Sequence, residues 1–475
     1  MSDAKRDDDA GVPLSGRDAA HEAVLAALRG RGFVNETLGR LRAGGRLAGR
    51  ESGLAAEIAF GAVRHALTIE HVFGQVARFD QRRVKPELRA VLLAAGYQII
   101  WMDRVPVFAA VDEAVELTRR RVSRRATGMV NAILRGLTRA IADRRTEWRT
   151  GDPAQVRVSW DRACEFKTSV LPDPEKAGRA AYVAAATGER PARYRALVER
   201  FGAERAEQVA WAEQAVPAIA LHRNTLRVNE AVFQARVRAE YGDAIEWLPD
   251  VTFLPSSVNV ADAPLFQEGR AYVQDVTAHF AAELVAARRG ERVLDFCAAP
   301  GGKSIAMAQQ IGDLGEIVAC DASPDRILRV RENARRMRLT SIRTHLIQTS
   351  DASESDLNRE FDAALVDVPC SNSGVIARRP EARLGLTGEK LASLTALQAA
   401  LLRRAAASVR PGGRLIYSTC SIEPDENEQV VEAFLAENTE WRLDCARTTL
   451  PAWGPRLAEW RDGGFVARLL REPRV

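Results

Sequence analysis

The 475-residue chain is poor in cysteine, lysine and histidine, with six of each, and it contains no long apolar run. The most apolar stretch, Val91 to Met102, is about twelve residues and is interrupted by Gly96 and Gln98, well short of the roughly 20 needed to cross a bilayer. Membrane insertion is therefore excluded as an expectation. The cysteines, Cys164, Cys297, Cys320, Cys370, Cys420 and Cys445, are widely scattered, with neither the close pairs of a zinc site nor the even spacing of a disulfide framework. They read as free thiols in a reducing compartment, and no metal is expected. Met1 to Ala10 is polar and acid-rich, unlike a secretory signal, and reads as a disordered tail. A soluble, cytoplasmic, monomeric protein follows as the expectation. There is no internal repeat and no low-complexity tract.

What is present is an ordinary globular balance, 46% hydrophobic and 28% charged, with ample chain for more than one domain. The net charge of +5 is unevenly placed. Between Gly16 and Arg145 there are 23 Arg and Lys against 13 Asp and Glu, so this stretch alone carries +10 and the remainder is acidic. A basic module joined to an acidic one is expected where one part follows a phosphate backbone and the other does chemistry. The triplet Arg119, Arg120 and Arg121 is the densest basic run here. A solvated helical surface is the competing explanation, and charge alone does not decide between them.

The pattern divides the chain into four stretches. Over 15–145 apolar residues recur at helical spacing, as in Ala55, Ile58, Ala59 and Val63, and Pro86 and Pro106 fall near helix starts, which predicts an all-helical domain. Over 146–191 polarity is mixed and prolines are frequent, which reads as a linker or insertion. Over 192–270 helical and strand patterns alternate: Tyr194 to Ala215 reads as helix, Ile219 to Arg223 as strand and Glu230 to Tyr241 as helix, a small α+β module. Over 271–475 the rhythm is strand, turn, helix. Candidate strands are Arg292 to Phe296, Glu316 to Cys320, Arg343 to Ile347, Asp362 to Val366, Arg414 to Ser418 and Phe465 to Leu470. This predicts an α/β Rossmann-like domain with a largely parallel sheet and ligands at the carboxyl ends of its strands.

The first of these strands runs into Cys297-Ala298-Ala299-Pro300-Gly301-Gly302-Lys303 and then an apolar helix. Small residues let backbone approach a ligand, and a helix start offers unpaired N–H groups. The glycine spacing is not that of a P-loop, which disfavours a triphosphate. Asp321 closes the next strand, where an acid can take both ribose hydroxyls of a nucleoside, and Asp351 follows the third, within reach of an adenine amino group. Lys303 is informative because arginine is this chain's usual cation. An adenosyl cofactor fits this set.

Two later strands each end in a cysteine followed by serine: Asp367-Val368-Pro369-Cys370-Ser371 and Tyr417-Ser418-Thr419-Cys420-Ser421. Cytosine C5 is a poor nucleophile, but a thiolate adding at C6 makes the ring enamine-like, so that C5 attacks an electrophilic methyl group. An acid and a second basic group must act beside the first sulfur, and Asp367, Cys370 and Cys420 supply that set. A lone cysteine is usually an inert small hydrophobe. Two of them, each placed after a strand and before a serine, are not explained that way. The chemistry alone does not say which sulfur attacks.

The carboxyl-terminal half resembles the RNA cytosine-5 methyltransferases of the Nol/Nop/Sun family. The resemblance rests on Cys297 to Ser304, on Asp367 to Ser371 with Gly374 and Val375, and on Pro411 to Ile422 with Glu426-Asn427-Glu428. Ala94-Ala95-Gly96-Tyr97-Gln98, Val105 to Val111 and Val130 to Arg135 are similar to a NusB-like RNA-binding domain. The branch that joins both parts is the Sun/Fmu-type bacterial 16S ribosomal RNA cytosine-5 methyltransferases, type B. The resemblance implies S-adenosylmethionine held by Cys297, Ala298, Ala299, Pro300, Gly301, Gly302, Lys303, Asp321, Asp351 and Asp367. It also implies Cys420 as the nucleophile, Cys370 as the group that assists product release, Asp367 as a contact to the target base, and 16S ribosomal RNA as partner. Arg378, Arg379 and Pro380 would line the RNA side. Leu384 stands where tryptophan is common, and Asp462-Gly463-Gly464-Phe465 replaces the more frequent Asp-Gly-Phe-Phe. The rival readings are a tRNA or 23S cytosine methyltransferase on the same scaffold, and a non-catalytic ribosome-assembly factor. Binding alone would need neither thiol.

Overall fold

The computed structural model describes residues 12–77, 79–242, 245–347 and 360–473; the amino-terminal tail and Asp351 lie outside them. The chain divides into two compact units, one of residues 1–215 with Arg379–Gly385, the other of 216–378 with 386–475.

Residues 16–140 of the first unit form seven α-helices: Gly16–Leu28, Val34–Ala43, Gly49–Arg64, Ala66–Ala77, Pro86–Trp101, Val107–Arg121 and Thr127–Ala140. The apolar run noted above is the centre of Pro86–Trp101, which is buried from Leu88 to Ile100 on nearly every side. A helix apolar all round belongs inside a bundle, and this one is its axis. Its neighbour Gly49–Arg64 approaches so closely that a Cβ at Gly61 would sit 2.0 Å from the Tyr97 ring. No helix among the described residues is long and apolar enough to cross a membrane.

The basic triplet is largely spoken for. Arg119 pairs with Glu116, and Arg120 and Arg121 reach Asp18 at 3.4 and 3.3 Å. Arg31, Arg40, Arg42, Arg50, Arg104, Arg124, Arg125, Arg135 and Arg139 are exposed and have no ion pair among the described residues, so the free positive charge of this region lies outside the triplet.

Mixed polarity and proline gave 146–191 the look of a linker or insertion; the structure forms secondary elements there. Strands β1 (Ile141–Glu147), β2 (Gln155–Arg157) and β3 (Arg162–Phe166) form an antiparallel sheet in the order β1-β3-β2. The strands are short, β1 and β3 slip register twice, and β1 has no fully buried residue, so no alternation marked them. Arg157 anchors the sheet edge, its guanidinium 3.7 Å from the centre of the Trp148 ring. The expected single helix from Tyr194 is two, Pro191–Phe201 and Ala203–Ala212, because Gly202 takes φ 83° between them.

Arg379–Gly385 is threaded into this unit by charge. Arg383 bonds Glu213 at 2.9 Å and the Thr187 carbonyl at 2.9 Å, while Arg193 bonds Glu213 and Glu189. The Arg383 and Glu213 side chains are 4% and 1% exposed.

The second unit holds two sheets. The smaller contains β4 (Ile219–Arg223), β5 (Glu246–Leu248), β6 (Val251–Leu254) and β7 (Ala271–Val273), in the order β5-β6-β4-β7. The larger contains β8 (Arg292–Phe296), β9 (Glu316–Asp321), β10 (Ile342–Leu346), β11 (Phe361–Asp367), β12 (Val409–Thr419), β13 (Trp441–Thr449) and β14 (Gly464–Arg471). Its order is β10-β9-β8-β11-β12-β14-β13, parallel from β10 to β12 and antiparallel at β14 and β13. The order reverses between β8 and β11, which places a crevice at their carboxyl ends. Helices Gly302–Gln310, Pro324–Met337 and Gly388–Ala407 are the crossovers.

Removing one partner from a buried ion network costs about 3–5 kcal/mol. Arg383→Met should therefore destabilise the first unit by about 3 kcal/mol in denaturant unfolding. A loss under about 1 kcal/mol would show that this network does not anchor the segment.

Candidate active site

The turn after β8 is shaped to bring backbone close to a ligand. Cys297 has φ 72° and Gly301 φ 101°; a Cβ on Gly301 would also sit 3.2 Å from Val330. The Ala298 N–H donates to the Cys320 carbonyl at 2.8 Å, and the Asn333 amide donates to the Pro300 carbonyl at 3.0 Å. Gly301 caps the following helix without a side-chain acceptor, so its first-turn N–H groups have no side-chain cap. At the end of β9, Asp321 is buried and accepts from the Ser323 and Ala299 N–H groups at 3.1 and 3.3 Å. Arg326 reaches the same carboxylate at 3.3 Å.

Asp295, within β8 and wholly buried, accepts a short hydrogen bond from Ser304, while its Oδ1 has no partner among the described residues. Burial pushes this carboxyl up to about 7, against the Ser304 bond and the charge of Lys303. Sequence reading did not single out Asp295; its signal was an acid inside an apolar strand, next to the glycine turn.

Strands β11 and β12 are parallel neighbours with Asp367 opposite Ser418, so the segments that leave them emerge side by side. The result is a sulfur pair: Cys370 Sγ lies 2.9 Å from Cys420 Sγ. A polar frame fixes the two loops. Glu426 accepts from the Ser371 N–H at 2.8 Å and from the Ser371 hydroxyl, and Gln398 donates to Glu426 and to the Pro369 carbonyl at 2.9 and 3.0 Å. Ser373 and Ser421 share a hydrogen bond of 3.0 Å. Asn372, at φ 63°, donates to the Cys370 carbonyl at 3.0 Å and accepts from the Cys420 thiol at 3.3 Å. Asparagine is one of the few residues that take this backbone shape readily.

Glycine makes the approach possible. The Gly374 N–H donates to the Cys420 carbonyl at 3.0 Å, and the Gly463 N–H donates to the Gly374 carbonyl at 2.7 Å. A Cβ on Gly374 would fall 2.6 Å from the Gly463 carbonyl carbon, and one on Gly464 would fall 2.8 Å from the Thr419 oxygen. The unusual Gly463-Gly464 pair thus lines the thiol loops.

Lys303 Nζ lies 2.6 Å from Asp367 Oδ2. Burial works against the ammonium, but the Asp367 charge and hydrogen bond outweigh it and hold Lys303 above its ordinary range. The hydrogen bond to Cys420 and burial together push the Cys370 thiol well up, and burial with the Asp367 charge pushes Cys297 up to about 12. Both are neutral thiols near pH 7. Lys303, Asp367 and Cys420 line one narrow cleft with Ser418, Phe280 and Arg447.

The structure therefore gathers the Cys297–Lys303 turn, Asp321, Asp367, Cys370 and Cys420 at the carboxyl ends of β8, β9, β11 and β12. Arg378 is not a free cation for RNA: it is bound to Asp462 at 2.5 Å, to the Ala218 carbonyl at 3.0 Å and to Asp275 at 3.4 Å.

A doubly wound sheet with a glycine turn at its switch point defines the carboxyl-terminal fold as that of a Rossmann-like methyltransferase. The model of the family described as 16S rRNA methyltransferase RsmB/F matches residues 282–453, and the NusB family model matches residues 16–139. The ribosomal RNA small subunit methyltransferase B of Pseudomonas putida is 30% identical over 96% of this chain and 99% of its own. The probable ribosomal RNA small subunit methyltransferase B of Bacillus subtilis is 28% identical over 90% of each. Among solved structures, that of PH0851 aligns with a TM-score of 0.72 at 20% identity, over 97% of this chain and 100% of the other. A methyltransferase homologue from Pyrococcus horikoshii aligns with a TM-score of 0.51 at 24% identity, over 61% of this chain and 97% of its own; both are likenesses of fold. The chain belongs to the RsmB/F family of 16S rRNA methyltransferases, with a NusB-family region before the catalytic fold.

Adding a methyl group at a position this crowded forces the loops apart, at a typical cost of about 1–3 kcal/mol. Gly374→Ala should lower stability by that amount and reduce Cys370–Cys420 bridging by dibromobimane at least about twofold relative to wild type. Bridging at the wild-type rate would mean that Gly374 does not set the sulfur separation.

Proposed function

We propose that this chain methylates C5 of one cytosine in 16S ribosomal RNA, with S-adenosylmethionine as cofactor and Cys420 as the nucleophile that adds to C6. The observation that carries the reading is the sulfur pair, 2.9 Å apart, with the Lys303–Asp367 ion pair lining the same cleft as Cys420.

A nucleoside needs backbone N–H groups, room for close approach and an acid near its ribose. The uncapped helix start, the small residues from Ala298 to Gly302 and buried Asp321 meet these needs. Cys297, Ala298, Ala299, Pro300, Gly301, Gly302, Lys303, Asp321 and Asp367 would hold it, together with Asp351. When bound, S-adenosylmethionine supplies an electrophilic methyl group.

The chain's own residues do the rest. The Cys420 sulfur forms a bond to C6, and the ring electrons pass to C5, which becomes nucleophilic. Asp367, fixed by Lys303, contacts the target base. After C5 is alkylated it must lose its proton, and the S–C6 bond must break. Cys370 is a neutral thiol facing the departing sulfur: as the S–C6 bond breaks it gives its proton to Cys420, and the Cys370 thiolate so formed takes the C5 proton, which returns both sulfurs to thiols. The stretch from Gly16 to Arg145, which contains the NusB-family region and carries a net charge of +10, supports an RNA partner.

Incubation with labelled S-adenosylmethionine and protein-free 16S rRNA, followed by mapping of 5-methylcytosine, tests this function. Cys420→Ala should lower turnover by about 10^3-fold or more, as loss of a covalent nucleophile does. Cys370→Ala should accumulate a covalent protein–RNA adduct that resists denaturing electrophoresis. The reverse pattern would exchange the two roles, and transfer to tRNA or 23S rRNA instead would keep the chemistry and replace the substrate.

A further inference from the structure

The mouth of the Cys420 cleft carries a pair of side chains that the reaction above does not use. Phe280, on helix Val276–Glu283, is half-buried, and Arg447, on the edge strand β13, is exposed. The Arg447 guanidinium carbon lies 5.0 Å from the centre of the Phe280 ring. Both line the same cleft as Cys420, Lys303 and Asp367.

Several cations on strands β12 to β14 are held in ion pairs, while Arg471 gives its guanidinium to the Val409 carbonyl. Arg442 pairs with Glu472, Arg468 with Asp444 and Arg414 with Glu291. Arg447 has no ion pair among the described residues, and it lines the same cleft as Cys420. A buried arginine over an aromatic ring is ordinary packing. An exposed one, at the rim of a cleft that must admit a base, is placed for a ligand.

A cytosine that reacts at C5 and C6 has to leave its stack, and its departure uncovers the face of the adjoining base. RNA-binding proteins meet such faces with aromatic rings and guanidinium planes. We infer that Phe280 and Arg447 form a stacking site for the nucleobase next to the target cytosine, with the Arg447 charge also serving that nucleotide's phosphate. The inference rests on the proposed RNA substrate and adds to it the residues that hold the flanking nucleotide.

Phe280→Leu, Arg447→Lys and Arg447→Gln can be compared with wild type on protein-free 16S rRNA. Loss of one stacked base typically weakens binding by about tenfold. Phe280→Leu should raise KM for RNA by about that factor. Arg447→Gln should do the same and also reduce the slope of log affinity against log salt by about one unit. Arg447→Lys should restore the salt slope but not KM, because it keeps the charge and loses the plane. Melting temperature and S-adenosylmethionine affinity should hold in all three. Once the wild-type product is mapped, an RNA with an abasic residue beside the target should lose the difference between wild type and Phe280→Leu. Wild-type KM and salt slope in every variant would overturn the stacking site and leave the proposed function standing. A wild type that transfers no methyl group to 16S rRNA would overturn both.

Discussion

The pairing of β11 with β12 is the constraint on which the rest of this site depends. In a parallel ladder the register fixes what emerges together at the carboxyl end, and Asp367 opposite Ser418 sends two loops out side by side. A slip of one residue would turn each side chain to the opposite face and move Asp367 away from Lys303. Tyr417 is central to that register. It is fully buried, packs its ring against Phe465 and donates its hydroxyl to the Glu426 carbonyl at 2.6 Å. The bond ties the strand to the segment whose carboxylate holds Ser371. Hydrophobic packing and the polar frame thus meet in one side chain.

Charge within the site follows the same economy of contacts. Carboxylates drawn partly or wholly out of water are costly unless paired or hydrogen-bonded, and those of this site meet the need in different ways. Asp367 has an ammonium, Asp321 has backbone donors and a guanidinium, Glu426 has serine and glutamine donors, and Asp295 has one serine and an elevated pKa. Cys420 is hydrogen-bonded to an amide oxygen and to the other thiol, and Lys303 is the cation that acts on it across the cleft.

Much of this was legible from the chain, because the informative residues sit at fixed offsets from strands. The Cys297 turn, Asp321, Asp367, Cys370 and Cys420 each lie at a strand end, where an open sheet exposes chemistry. Asn372 and Glu426 were harder to read. Asn372 acts through a left-handed backbone that spacing does not display, and Glu426 reaches the Cys370 loop from more than fifty residues away. The antiparallel edge strand β13 escaped notice because its residues are mostly exposed, so no apolar alternation marks it. Phe280 and Arg447 meet only after folding, and neither belongs to a motif. The small sheet of β1 to β3 was hidden by short strands and register shifts.

The segment Arg379–Gly385 has a consequence for how such a protein could be inherited. It follows the Cys370 loop directly in the chain, yet it belongs to the helical unit, where Arg383 completes a buried carboxylate pair. A catalytic half inherited by itself would carry this arginine into water, and a helical half by itself would leave Glu189 and Glu213 with Arg193 alone to balance them. The two halves are therefore not interchangeable parts. A gene fusion that swapped one of them would have to bring seven residues from the middle of the other.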